Sequence, residues 1–414
     1  SLSNGMTILV HENHIAPTVV VSGYLWSGSE DDPLDQLGLA NFTVDVMGRG
    51  TINRTFSQLY EEIESIGASF GMHTGTHTTY FGAKGLTEHL PILLNIIKDA
   101  LCNPAFLPEQ VEKTRTELIT HIEERIYDTP SMAALTFNEM AYPESHPYHW
   151  SHIGYEHTLT GITQSHLVNF HAQHFSPEHM VIAIVGDINS ENVVSRVTEL
   201  FSDWQPKVKK RSPLPLVAPL TDQRIKSVYV EDKTQSNIIL GWPGPARKHP
   251  DFMPCFLANT VLGVFGMYGR LGKKVREEHS LAYYAYSSIT GGLGPGPWTI
   301  NTGVDPANTG RALDVILIEV ERILDEPIPE DELEDSKAYL TGSLPLHLET
   351  NEGLMQSIIN MERHALGLDY IQHYKANIMR ISAQDILKSV QHWMDPNIYV
   401  LAVAGPTTYT PDGG

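Results

Sequence analysis

The 414-residue chain has two cysteines, Cys102 and Cys255. Two cannot build a disulfide framework, and each reads as a small buried residue rather than a redox centre. Positive charge is scarce: 28 Lys and Arg stand against 49 Asp and Glu, a net of −21. That balance argues against nucleic acid as the main partner, because phosphate binding needs clustered cations. Long apolar runs are missing too. The longest, Met180–Val185 and Ile398–Ala404, fall far short of the roughly 18 residues of a membrane helix. A soluble protein is therefore expected; the chain opens Ser1-Leu2-Ser3-Asn4 without a charged-then-apolar leader, which leaves the compartment open with the cytoplasm slightly favoured. With 41% apolar and 19% charged residues the composition is globular, and the length suits two or three domains at roughly 150 residues each.

What is present is a repeat. Ile162-Thr163, Leu167-Val168 and the run from Pro177 through Val181 and Ala183 to Gly186 recur 219 positions later, without a gap. The second copy is Ile381-Ser382, Ile386-Leu387 and the run from Pro396 through Val400 and Ala402 to Gly405. Each copy reads as a helix, a short turn and an apolar strand stopped by glycine. Leu39-Ala40-Asn41 recurs as Leu257-Ala258-Asn259, and Pro108-Glu109 with Leu118 as Pro329-Glu330 with Leu340. In the latter pair Pro-Glu opens a helix, where proline and an early acid are both favourable. Three matches in order at similar offsets indicate a duplicated domain.

Residues 205–221 interrupt the periodicity with Pro206, Pro213 and Pro215 around Lys207, Lys209, Lys210 and Arg211, and read as a solvated linker. The expected domains are therefore 1–204 and 222–414. Strand signals fall at Thr18–Leu25, Thr78–Lys84, Val181–Val185, Ile238–Trp242 and Tyr399–Ala404. Helix signals fall at Leu39–Met47, Phe56–Ile66, Pro91–Leu101 and Pro108–Ile126. Helices grouped between strands, rather than strict alternation, predict an α+β fold: two homologous sandwiches, each a mainly antiparallel sheet with packed helices.

One helix carries a recognisable pattern. Gly38-Leu39-Ala40-Asn41, then Val44-Asp45 and Gly50-Thr51, resemble the zinc helix of the pitrilysin and mitochondrial-processing-peptidase family, the inverzincin metallopeptidases. That pattern is Gly-Leu-Ala-His-x-x-Glu-His followed by a Gly-Thr pair. Positions i and i+4 offer two imidazoles to one zinc, and the glutamate at i+3 serves as general base. Here those three positions hold Asn41, Val44 and Asp45. The resemblance places the family's third ligand, a glutamate about 76 residues further on, at His121, ahead of Asp128-Thr129-Pro130. Asn41, Val44, Asp45 and His121 are thus degenerate metal-site positions, and no metal is expected in this chain. A hydrogen-bonded Asp45–His121 pair is expected instead; a mixed site of Asp45, His121 and Glu124 is the alternative.

The resemblance extends along nearly the whole chain, including His146-Pro147-Tyr148 with Ile153-Gly154 and a second-half run from Leu262 to Ser287. In the family that run carries an arginine and, seven residues later, a tyrosine that face the zinc site; here they match Arg276 and Tyr283. Both are hydrogen-bond donors suited to a developing oxyanion. The resemblance therefore implies a non-catalytic subunit of a heterodimeric zinc peptidase, with Arg276 and Tyr283 acting on the site of a homologous partner that carries the intact motif and the zinc. Its substrate would be a peptide or unfolded protein, and the isolated chain could homodimerise. A peptidase-derived scaffold or peptide-binding protein without hydrolytic role is one rival, and a zinc peptidase with an altered metal site another.

Other signals are assigned to structure. His146, His149, His152 and His157 read as an ordered loop rather than a chelate, and His171 and His174 as helix residues. His73 and His77 lie too far apart on an extended chain to share an ion. Ser69–Lys84 corresponds to a family edge strand that pairs with extended peptides, or is an ordinary sheet strand. The glycines at 263–272 and 291–296 lack the Lys-Ser/Thr ending of a phosphate loop.

Overall fold

The computed structural model describes residues 1–206 and 211–410, without the side chain of Tyr268. Lys207, Lys209 and Lys210 of the expected linker lie outside the described residues. Among the described residues, no helix is long and apolar enough to cross a membrane.

Two five-stranded sheets are present. The first holds β1 (Thr7–Glu12), β2 (Thr18–Leu25), β3 (Ser69–Thr74), β4 (Thr79–Leu86) and β5 (Met180–Gly186), in the order β1-β5-β2-β4-β3. The second holds β6 (Arg224–Tyr229), β7 (Ser236–Pro243), β8 (Ala282–Ile289), β9 (Pro297–Val304) and β10 (Val400–Gly405), in the order β6-β10-β7-β9-β8. The orders are the same once each strand is replaced by its counterpart. In each sheet one parallel pairing, β1 with β5 or β6 with β10, joins three antiparallel ones. This is the expected α+β pair of sandwiches, and the duplication extends to the caps. Thr163 accepts from the His166 amide at the start of Gln164–His174, and Ser382 does the same for Asp385 at the start of Ala383–Trp393. Such caps satisfy orphan amides of the first turn.

The compact units are not the two contiguous halves. The first comprises Ser1–Glu123, Ser151–Pro213 and His347–Arg363; the second comprises Glu124–Trp150, Leu214–Leu346 and His364–Gly414. Each half therefore lends a segment to the other's unit. The reason lies in the central strands: β5 and β10 are buried at every position, so both faces of each sheet need apolar cover. In the first unit Val19, Val21, Ile182 and Ile184 face the main core. Alternate residues Val20, Val181, Ala183 and Val185 point the other way, against Met355 and Ile359 of the helix Asn351–Arg363. In the second unit, Ala133 and Phe137 of the helix Thr129–Ala141 cover Ile239, Val400 and Ala402.

Candidate functional site

The helix α1 (Leu39–Met47) is fixed at its start by a buried carboxylate. Asp32 accepts from the Gly38 and Ala40 amides, both at 2.8 Å, which satisfies orphan donors of the first turn. Burial pushes the Asp32 carboxyl well above the ordinary carboxylate range, and those amides pull it back only in part. Gly38 has φ of 94°, and a Cβ there would meet the Ile153 carbonyl oxygen at 2.7 Å. Glycine is required by conformation and by space. The expected span Leu39–Met47 is the observed one.

The next three helices in the chain are α2 (Phe56–Ser65), α3 (Leu90–Cys102) and α4 (Pro108–Arg125). A cavity of about 530 Å³ opens where α1, α2, α4 and β3 meet. From α1 and its end come Val44, Asp45 and Arg49; from α4 come Thr114, Glu117 and His121. Phe56 and Tyr60 of α2 and Phe70 and Met72 of β3 form much of its apolar wall. Val44, Asp45 and His121, at three of the four degenerate positions, line this one cavity, and Asn41 reaches it through Asp45. Glu124 is exposed and does not line it.

Asp45 does not pair with His121 as expected. The Asn41 amide nitrogen donates to Asp45 Oδ2 at 2.9 Å, across one turn of a single helix, and His121 on α4 is exposed. An i, i+4 neighbour is held in reach by the helix itself, whereas the inter-helix pairing is not. Burial raises the Asp45 carboxyl to about 6; the Asn41 hydrogen bond and the Arg49 cation lower it, and Glu117 raises it. Arg49 is ion-paired to Glu117 and lies 5.4 Å from the centre of the Phe56 ring. Sequence reasoning missed Arg49, Thr114 and Glu117. A signal was available for two of them: Arg49 is four residues after Asp45, and Glu117 four before His121, each one helical turn along.

These residues do not fit zinc. A catalytic zinc takes three protein ligands and keeps one open position. Here Asn41 turns its amide nitrogen to Asp45, Glu117 is neutralised by Arg49, and Val44 has no group to accept a proton from water. Among the described residues, no group of three His, Cys, Asp or Glu side chains could hold a metal ion.

Arg276 and Tyr283 belong to the second unit. Arg276 sits on the wide-turned π-helical segment Gly272–Glu278, which packs against β8. Its guanidinium donates to Glu277 at 2.8 Å and lies 3.4 Å from the Met267 sulfur. Tyr283 is in β8, an edge strand, with a register irregularity between Ala282 and Ala285. It is 85% exposed, unusual for so large an aromatic side chain.

Two residues of the histidine loop are held within the loop itself. Buried His146 accepts from the Tyr148 amide and stacks on Tyr142, and His149 bonds the Tyr142 carbonyl. His171 reaches the Leu101 carbonyl and His174 pairs with Asp31. His73 is on β3, while His77 lies in the β3–β4 turn and bonds Glu30 at 2.6 Å.

Two family models match the chain: Insulinase (Peptidase family M16) over residues 7–141, and Peptidase M16 inactive domain over residues 161–340. An uncharacterised zinc protease of Mycobacterium leprae is 22% identical over 407 residues, 98% of this chain and 91% of the relative. Another, from Bacillus subtilis, is 25% identical over 359 residues, 85% of this chain and 84% of the relative. Among solved structures, a peptidase M16 inactive domain from Pseudomonas fluorescens superposes with a TM-score of 0.92 at 22% identity, covering 98% of this chain and 97% of that one. A protease from Helicobacter pylori gives 0.90 at 18% identity, covering 98% of each. At such identities the structural likeness establishes the fold.

Proposed function

This chain belongs to peptidase family M16, and from that premise we propose that it is the metal-free subunit of a heterodimeric zinc peptidase. In this reading it forms part of a peptide-holding chamber and lends Arg276 and Tyr283 to the zinc site of a homologous partner. The observation that carries the proposal is the contrast between the two half-sites. Asn41, Val44 and Asp45 leave a cavity without a zinc ligand set and with valine where the family's general base stands, whereas Tyr283 carries an exposed phenol on an edge strand. Peptide hydrolysis places negative charge on the carbonyl oxygen in its transition state, and a positioned phenol or guanidinium donor lowers that barrier. The partner's metal would polarise the carbonyl and supply the nucleophile.

The test is a pair of conservative variants in the assembled complex with a zinc-motif homologue. Tyr283→Phe deletes one hydroxyl and is expected to lower kcat by about 10²-fold, the scale of losing one oxyanion donor. Arg276→Lys keeps the charge but loses the guanidinium fork, and is expected to lower turnover as well. Unchanged kcat in both variants, with the complex intact, would remove the pair from the mechanism.

A further inference from the structure

We propose that the cavity between α1 and α4 is a pocket for a cationic side chain, Lys or Arg, of a peptide lying along β3. This rests on the reading of the chain as a peptide-holding subunit and adds the chemistry that the subunit selects.

Two polar groups point to a ligand. Asn41 occupies Asp45 Oδ2, while Oδ1 makes no hydrogen bond among the described residues. Thr114 is 2% exposed, lines the cavity, and its hydroxyl has no hydrogen-bond partner among the described residues. A helical threonine ordinarily bonds the carbonyl four residues back. Thr116, two residues on, does this to Glu112 at 2.9 Å, and Thr114 does not. A buried hydroxyl without a partner costs stability unless something reaches it.

Charge decides the sign of the ligand. The lining carries the carboxylates of Asp45 and Glu117 against one guanidinium, Arg49, already committed to Glu117. His121 lies at the exposed rim. An anion would meet Asp45 with no uncommitted guanidinium to receive it. An apolar side chain would leave Asp45 and Thr114 unsatisfied. An ammonium or guanidinium brings its own donors to both acceptors, and Phe56, Tyr60 and Phe70 supply rings for its charge and stem. It also avoids the geometric demand that excludes zinc, since hydrogen bonds at ordinary length need no tetrahedral ligand set.

The strand provides the approach. β3 is the outer strand of its sheet, paired on one side to β4. Phe70, Gly71 and Met72 all line the cavity. A peptide added beside them satisfies backbone groups without regard to sequence and leaves selection to its alternate side chains.

The experiment measures binding of fluorescently labelled twelve-residue peptides to the full chain at pH 7.5. The central residue is Arg, Lys, citrulline or norleucine in an otherwise uncharged background. Arg and Lys peptides are expected to bind at least about 10-fold tighter than their neutral counterparts, as a charge-assisted contact implies. Asp45→Asn is expected to shrink that preference below about 2-fold while leaving the citrulline peptide unchanged. Equal binding of Arg and citrulline peptides to the unaltered chain overturns the cation pocket and leaves peptide holding intact. Failure of every peptide to bind the chain or its complex overturns both. The Arg-against-citrulline comparison does not depend on any variant folding.

Discussion

Replacing Asp45 by Asn should stabilise the protein at neutral pH and do nothing in acid. The Asp45 carboxyl sits in a cavity with one amide donor, and burial lifts it from an ordinary value near 3.8 to about 6. Each pH unit of displacement corresponds to about 1.4 kcal/mol, so the ionised folded form carries a penalty of about 3 kcal/mol. The direction follows from proton counting. Between pH 4 and 6 the folded chain holds a proton that the unfolded chain has lost, so stability falls as pH rises through that window and is level above it. Asparagine has nearly the same shape and no charge. In a first unit of about 200 residues, 3 kcal/mol corresponds to a midpoint rise of roughly 6–12 °C. Thermal melts of both proteins from pH 4 to 8 should diverge between pH 4 and 6, with the variant higher, and run parallel above. A variant that melts no higher at pH 7.5, or a gap that widens in acid, would refute the burial argument.

Other outcomes follow from the same geometry. Grafting Asn41→His, Val44→Glu, Asp45→His and His121→Glu should give about one zinc per chain by elemental analysis, where the unaltered chain retains well under one; equal content in both contradicts the fit argument. Asp99 behaves oppositely to Asp45: burial alone would raise it, but donors from Thr51, Asn53, Asn103 and Arg54 outweigh burial and hold it low. Asp99→Ala should therefore destabilise by about 3–5 kcal/mol in urea titrations at pH 7, and by progressively less as the pH falls below the ordinary carboxylate range, because the unfolded carboxyl then takes up a proton that the folded one resists. Gly38→Ala forces a side chain into φ of 94° against the Ile153 carbonyl, and a loss of about 1–3 kcal/mol is expected in the same assay.

The sequence disclosed what local pattern controls. The register of α1, the strand Thr18–Leu25 and the 219-residue repeat were legible because periodicity, caps and glycine stops lie within one element. The exchange of Thr129–Ala141 and Asn351–Arg363 between units was not. It is set by the need to cover the second face of β5 and β10, and only the assembled sheet reveals it. Asp45 illustrates the same limit at the site. Its place on α1 was readable, but whether Asn41 or His121 would reach it depended on the separation of two helices more than 60 residues apart in the chain. Thr114 carried no sequence signal, since an unpartnered hydroxyl is visible only when every neighbour is placed.

The central claim is that this chain completes another subunit's catalysis. Its most direct test is the turnover of a fluorogenic peptide library by a co-encoded homologue bearing the intact zinc motif, measured alone and after addition of this chain. The account predicts little activity from either protein separately and strong, chelator-sensitive hydrolysis from the mixture. A stable complex that cleaves no faster than the homologue alone would contradict it.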